Sequence, residues 1–272
     1  MSGIIKQLHI FFKPSNINLI REMVSSDFKL RYQGSVLGYL WSLLRPLFLF
    51  GVLYVVFTHV IRIGSSIPHY PSYLLLGLVL WTFFLESTSS GMNAIISRGD
   101  LVRKVSIPKY IIIISTTLSA TVNLCLNMLI VFVFMFIGNV PFTMNILLAP
   151  VFFIELIIFC SGISFLLSTL YVKFRDIGHI WDVILQILFY ATPIIYSLSI
   201  VPEKYIKLVS INPLAQIFQD IRSVMITPDT LTTKQVFDSE LGRAIPILII
   251  VFVTLLGILY FRRNSKNFAE NL

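Results

Sequence analysis

Charge is what this chain has least of. Of its 272 residues only 12% are Asp, Glu, Lys or Arg, against roughly a quarter in soluble domains, and 56% are hydrophobic. That balance excludes an ordinary soluble protein and marks an integral membrane protein, with no appreciable soluble domain once the apolar runs are laid out. Cysteine is almost missing. Cys125 and Cys160 both fall in apolar runs, so the sequence holds no disulfide framework and no CxxC metal pair. The four histidines (His9, His59, His69, His179) are scattered and form no metal or nucleophile constellation. No two glycines stand five apart, which rules out a GxxxxGK[ST] phosphate loop within this sequence. The apolar run Ile10–Phe12 is too short for a secretory leader and is closed by Lys13-Pro14, so no cleavable signal peptide is expected.

Long apolar runs are what the chain has instead. A span needs about 20 apolar residues to cross a hydrocarbon core of about 30 Å. The first is expected over 36–61 and the second over 70–90. The charge-free run from Tyr110 to Ile154 would be about 68 Å long as one helix, so it must fold back. Gly138-Asn139-Val140-Pro141 supplies the turn, giving spans at 110–137 and 146–170. A fifth is expected at 180–197 and a sixth at 244–261. The expected fold is therefore all-α, with six transmembrane helices over 36–272 and a cytoplasmic amphipathic segment at 1–35. In the outer segment 198–243, Leu214, Ile217, Phe218, Ile221 and Met225 recur at helical spacing, so surface or re-entrant helices are expected between spans five and six.

The net charge of +8 would suit nucleic acid, but its distribution points elsewhere. Segments 1–35, 97–109, 171–178 and 262–272 hold fourteen basic residues against five acidic ones. On the other side Arg62 stands alone in the first loop, 138–145 is uncharged, and 198–243 balances five against five. The positive-inside rule then puts both termini in the cytoplasm.

The transition from charge to apolarity is sharpest in FKLRYQGSVLGYLWSLLRPL, Phe28 to Leu47. Lys29, Arg31 and Tyr32 lead through Gly34 and Gly38 to Trp41, Arg45 and Pro46, the make-up of a helix on the cytoplasmic surface that turns into the bilayer. Arg31-Tyr32, Ser35, Leu37-Gly38, Trp41, Leu44 and Pro46 resemble the opening signature of ABC-2-type permeases that export bacterial polysaccharides. The resemblance runs on through Lys104, Ile107 and Pro108, then Arg175-Asp176, Thr192-Pro193-Ile194-Ile195-Tyr196 and Asn212-Pro213-Leu214, and so covers nearly the whole chain.

The resemblance implies a homodimer of six-span subunits in the bacterial inner membrane, with two ATP-binding subunits docked beneath and a lipid-linked polysaccharide as cargo. No cofactor is expected on this chain; ATP and magnesium belong to the partner subunit. O-antigen is the first expectation for the cargo, then teichoic acid or capsule, then a drug or lipid on the same frame. A different class, an intramembrane glycosyl- or acyltransferase, would need an acid cluster or a histidine motif facing one leaflet, and the sequence has neither.

Site expectations follow. By resemblance, 97–109 is the coupling helix, with Leu101, Val102 and Val105 as apolar contacts and Arg98, Asp100, Arg103 and Lys104 around them; on charge alone it reads as an ordinary cytoplasmic loop. Lys29, Arg31, Tyr32, Trp41 and Arg45 form the expected substrate entrance, where Arg45 either meets a lipid pyrophosphate or snorkels to headgroups. In the fifth span Asp182, Gln186, Tyr190, Pro193 and Ser197 step along one face. With Tyr196 this face is expected to line a channel, the alternative being helix packing with Pro193 as a kink. Phe50, Tyr54 and Phe57 share a face of the first span as second channel candidates. Glu86 and Glu155 are isolated carboxylates in apolar surroundings, and Asn123 and Asn127 read as interhelical hydrogen-bonding groups.

Overall fold

The computed structural model describes residues 14–271 except 36, 39, 63, 65, 66 and 106, and the backbone alone of 14, 15, 31, 32, 240, 241, 243, 269 and 271. No strand occurs among the described residues. Helix α1 (Pro14–Tyr32) is followed by α2 (Leu40–Val55), which runs into a π turn at Val56–Val60. Then come α3 (Tyr70–Ser97), a short α4 (Gly99–Lys104), α5 (Tyr110–Ile137), α6 (Ala149–Lys173) and α7 (Ile177–Ala191). Segment 198–243 folds as α8 (Glu203–Ser210), α9 (Pro213–Met225) and α10 (Thr233–Phe237) before α11 begins. Helix α11 (Glu240–Asn264) and the short α12 (Phe268–Asn271) end the chain.

Among the described residues five helical stretches are long and apolar enough to cross a membrane: Leu40–Val60, Tyr70–Ser97, Tyr110–Ile137, Met144–Lys173 and Ala244–Asn267. Helices suit these runs because each satisfies its own backbone polar groups without water. The hairpin between α5 and α6 turns where the sequence predicts. Asn139 takes φ 49°, and the amides of Gly138 and Val140 bond back to the carbonyls of Phe134 and Met135. His69 Nδ1 lies 2.9 Å from the Gly138 carbonyl and joins this turn to the one preceding α3.

The expected fifth span is shorter than its sequence suggests. Helix α7 stops at Ala191 after 15 residues, about 22 Å, which is less than a bilayer core. The reason is local: a residue before proline is pushed out of the α region, and Thr192 sits at φ −101°, ψ 135°. Pro193 thus ends the helix rather than kinking it, and Ser197 does not continue the face begun by Asp182.

Helix α3 is the axis of the fold, buried along most of its length and flanked by α5 and α6. Helix α6 in turn packs closely on α11: a Cβ on Gly257 would stand 2.2 Å from the Gly162 carbonyl oxygen. Without a hydrophobic force between helices in lipid, such small-residue contacts let dispersion hold them together. Two apolar clusters result. The larger runs through the membrane-spanning helices and α9. The smaller lies at the end where α1, α4 and α12 gather, and contains Met23, Ile95, Val102, Ile111, Phe165, Phe261 and Phe268.

Candidate functional site

Three constructions stand out. The first is the platform around α4. Asp100 sits in the first turn of this helix and Arg103 and Lys104 in its last, which complements the helix dipole. Val102 is buried in the smaller cluster and Leu101 half-buried against it, whereas Asp100, Arg103, Lys104 and Val105 are exposed. Arg98 turns inward: Nη2 pairs with Oδ1 of Asp27 on α1, and Nη1 donates to Ser115 Oγ on α5 at 3.1 Å. Ser119 Oγ reaches the other oxygen of Asp27 at 3.3 Å. Helix α4 is therefore tied to α1 by an ion pair and rests on Val102. From the other side, Phe261 and Phe268 meet edge to face at 5.4 Å, and the Lys109 ammonium donates to the Ser265 carbonyl 5.7 Å above the Phe268 ring. Partial burial holds the Lys109 ammonium below its ordinary range.

The face α4 leaves open is thus Asp100, Arg103, Lys104 and Val105. Helix α1 contributes Leu19, Ile20 and Met23 to the same cluster, while Leu30 and Lys29 are exposed. The side chains of Arg31 and Tyr32 lie outside the described residues.

The second construction is a cavity of about 780 Å³ between α2, α3, α5 and α7. Trp41 and Arg45, one turn apart on α2, line it together with Trp81 and Glu86 of α3 and Asn123 and Asn127 of α5. Of the expected entrance residues, the structure therefore brings Trp41 and Arg45 together. The Asn123 amide donates to Glu86 Oε1 at 2.8 Å, the interhelical hydrogen bond expected of Asn123, so Glu86 is not the isolated carboxylate the sequence implied. Glu155 lies instead beside Gln216 of α9, at 3.5 Å.

On the neighbouring face of α7, Asp182, Gln186 and Tyr190 border a shallower cavity of about 530 Å³ with Trp81 and Phe189. Tyr190 is 73% exposed. The aromatic face of α2 is placed otherwise. Phe50 is buried, stacked on Tyr54 at 5.6 Å and edge-on to Phe134 at 5.1 Å, while Phe57 packs half-buried on the core. All three therefore pack against the chain's own core, Phe50 on Phe134 of α5 and Tyr54 on Tyr70 of α3 at 6.4 Å. The face α2 turns outward carries Phe48, Leu49, Val52 and Val55.

The third construction is one that sequence reasoning missed. The non-helical stretch after α7 is buried, and its successive carbonyls are each met by a side chain. Arg222 of α9, fully buried, donates to the carbonyls of Pro193 and Ile194, and at 3.1 Å to that of Tyr73. Tyr70 donates to the Ile195 carbonyl at 3.1 Å and Tyr73 to that of Tyr196 at 3.3 Å. Asn212 caps α9 at Leu214 and donates to Thr192 Oγ1 at 3.0 Å. The guanidinium lies 3.6 Å from the centre of the Tyr73 ring, so carbonyl dipoles and a π face solvate its charge in place of water. The sequence did carry a signal: Arg222 stands one turn after Phe218, inside the apolar stripe of α9, where a cation needs a buried partner. Tyr196 is bound into the same structure, its hydroxyl donating to the Tyr190 carbonyl at 2.9 Å.

Comparison with known proteins decides the family. The ABC-2 type transporter family model matches residues 18–226, which takes in the second and third constructions and all of the first except Phe261, Ser265 and Phe268. The chain belongs to the ABC-2 type transporter family. It is 30% identical over 258 residues to an O-antigen export system permease protein RfbA of Klebsiella pneumoniae, covering 94% of this chain and 95% of that one. A second protein of that name from the same organism is 28% identical over 256 residues, again 94% and 95%. One from Myxococcus xanthus is 28% identical over 261 residues, 93% and 95%. As an ABC-2 permease the chain is an integral membrane subunit that works with an ATP-binding ABC subunit, and it is a transporter component rather than an enzyme.

Proposed function

We propose that this chain is the transmembrane subunit of an ATP-driven exporter that carries lipid-linked O-antigen across the bacterial inner membrane. The observation that carries the reading is similarity over at least 93% of the chain to three permeases named for O-antigen export. In this reading residues 1–35 and both termini are cytoplasmic, and 36–272 form the membrane domain. Helix α7 and the clamped stretch after it together take the place of a sixth crossing, with α8 to α10 held toward the outer leaflet. The open face of α4 (Asp100, Arg103, Lys104), with Val105 just after it and Leu101 half-buried at its edge, docks on the ATP-binding subunit, which alone holds ATP and magnesium. Arg98 and Val102 brace that helix from behind. Two copies of the chain pair to form the conduit, with Asp182, Gln186 and Tyr190 along its wall and Lys29, Trp41 and Arg45 at its entrance. The test is deletion of the gene followed by analysis of surface glycan and of lipid-linked precursor. Loss of surface O-antigen with precursor accumulating inside, both reversed by the intact gene, is expected. Unchanged surface glycan with no accumulation would overturn the proposal.

A further inference from the structure

The two cavities that border α7 meet at a thin partition. Trp81, Leu85 and Phe189 line both the cavity of about 780 Å³ that holds Arg45 and the one of about 530 Å³ that holds Asp182, Gln186 and Tyr190. All three are hydrophobic, whereas each cavity carries charged and hydrogen-bonding groups beyond them. Trp81 is the fixed side of the partition: it is buried and lies 5.5 Å from the ring of Phe84, itself fully buried. Phe189 is the other side. It meets Trp81 at 5.4 Å with the rings 67° apart, and is only half-buried. Its ring also stands edge to face with that of Tyr190 at 5.3 Å, so the next residue along already faces the second cavity.

Little holds the Phe189 side in place. Of the fifteen residues of α7 only Trp181 and Leu185 are buried, while Ile180, Val183 and Ile187 are exposed. A single edge-to-face contact is weak beside the burial that fixes α3 along most of its length. A swing of the Phe189 ring, or a small roll of α7, is enough to part it from Trp81 and join the two cavities without unpacking the core. Closed, the partition is a hydrophobic constriction that resists water and ions. Open, it presents aromatic faces that match the flat C–H face of a sugar ring.

We propose that Phe189 is a gate between entrance and conduit, closed on Trp81 and displaced by the glycan as it passes from the cavity of Arg45 to that of Tyr190. This rests on the export reading and adds to it the point at which passage is controlled. The experiment is a reversible lock on the pair, in proteoliposomes holding the complex with its ATP-binding partner and lipid-linked O-glycan. Trp81→Cys and Phe189→Cys are combined in a Cys125→Ser background, Cys160 being fully buried, and bridged with a bis-methanethiosulfonate reagent. The bridged complex should lose at least about tenfold in glycan export and regain it on reduction, while each single cysteine treated alike keeps it. A contact that only packs is held by the bridge where it already lies, so unaltered export in the bridged complex overturns the gate. Both rings are lost in that variant, so a second arm leaves Trp81 in place. With p-benzoylphenylalanine substituted for Phe189, light should capture glycan during ATP turnover and far less at rest. No capture during turnover overturns the gate even where the cysteine variant does not fold. The two readings fail separately. If the unmodified complex exports no glycan with ATP, export itself fails; if it exports and neither arm responds, the gate alone fails.

Discussion

Replacing Arg222 by methionine should loosen the end of the fold around α9 by a calculable amount. The guanidinium serves the carbonyls of Pro193 and Ile194, neither of which lies in a helix. Leaving two buried carbonyls without a donor costs about 2–6 kcal/mol, from which removal of a buried charge returns a part. A net loss of about 2–4 kcal/mol corresponds to a fall in Tm of about 5–15 °C for a chain of this size. Gly77→Ala attacks the same joint from below. A Cβ there would lie 2.1 Å from Arg222 Nη2 and 2.9 Å from the Ile194 carbonyl oxygen, so the guanidinium must leave its carbonyls. The two changes share one mechanism, so the double variant should lose clearly less than the sum of the singles. Cys160 is a built-in reporter, being fully buried, and in a Cys125→Ser background a thiol-reactive dye in one detergent follows unfolding through it. An unchanged midpoint in Arg222→Met, or losses that add in the double variant, would refute the clamp.

Other outcomes follow from the same contacts. Asp27→Asn should release Arg98 and lower glycan export per ATP hydrolysed in the reconstituted complex, while Tm falls by only a few degrees, since the pair is partly exposed. Gly257→Leu should separate α6 from α11, because even a Cβ meets the Gly162 carbonyl at 2.2 Å; a stability loss of at least about 2 kcal/mol is expected in the same dye assay. Phe268→Ala should remove the aromatic support beneath α4, costing about 3 kcal/mol locally, and hydrogen exchange should rise across Gly99–Lys104.

How much of this was legible in the sequence differs by element. The turn at Gly138–Pro141 and the helix over 110–137 were readable, because charge-free length and turn chemistry act locally. The early end of α7 was half readable. Pro193 was visible, but an apolar run continuing through Ile195 looks like more helix until one asks which side chains would satisfy the freed carbonyls. Those donors, Tyr70, Tyr73 and Arg222, lie far along the chain and meet only in the folded molecule. The same holds for the proposed sites. Trp41 and Arg45 share a helix face that spacing predicts, and the structure sets them at one cavity. Phe50, Tyr54 and Phe57 also share a face, yet periodicity cannot say whether that face meets a channel or a neighbour such as Phe134. Nor could it pair Glu86 with Asn123, which requires knowing the register between α3 and α5.

The central claim is tested most directly in proteoliposomes holding this chain with its ATP-binding partner, loaded with lipid-linked O-glycan. A glycosidase is confined to the side opposite the nucleotide-binding subunit. Addition of ATP and magnesium should expose the glycan to digestion, with no exposure in a hydrolysis-deficient partner. Glycan that stays protected with ATP present, or becomes accessible equally without it, would contradict the account.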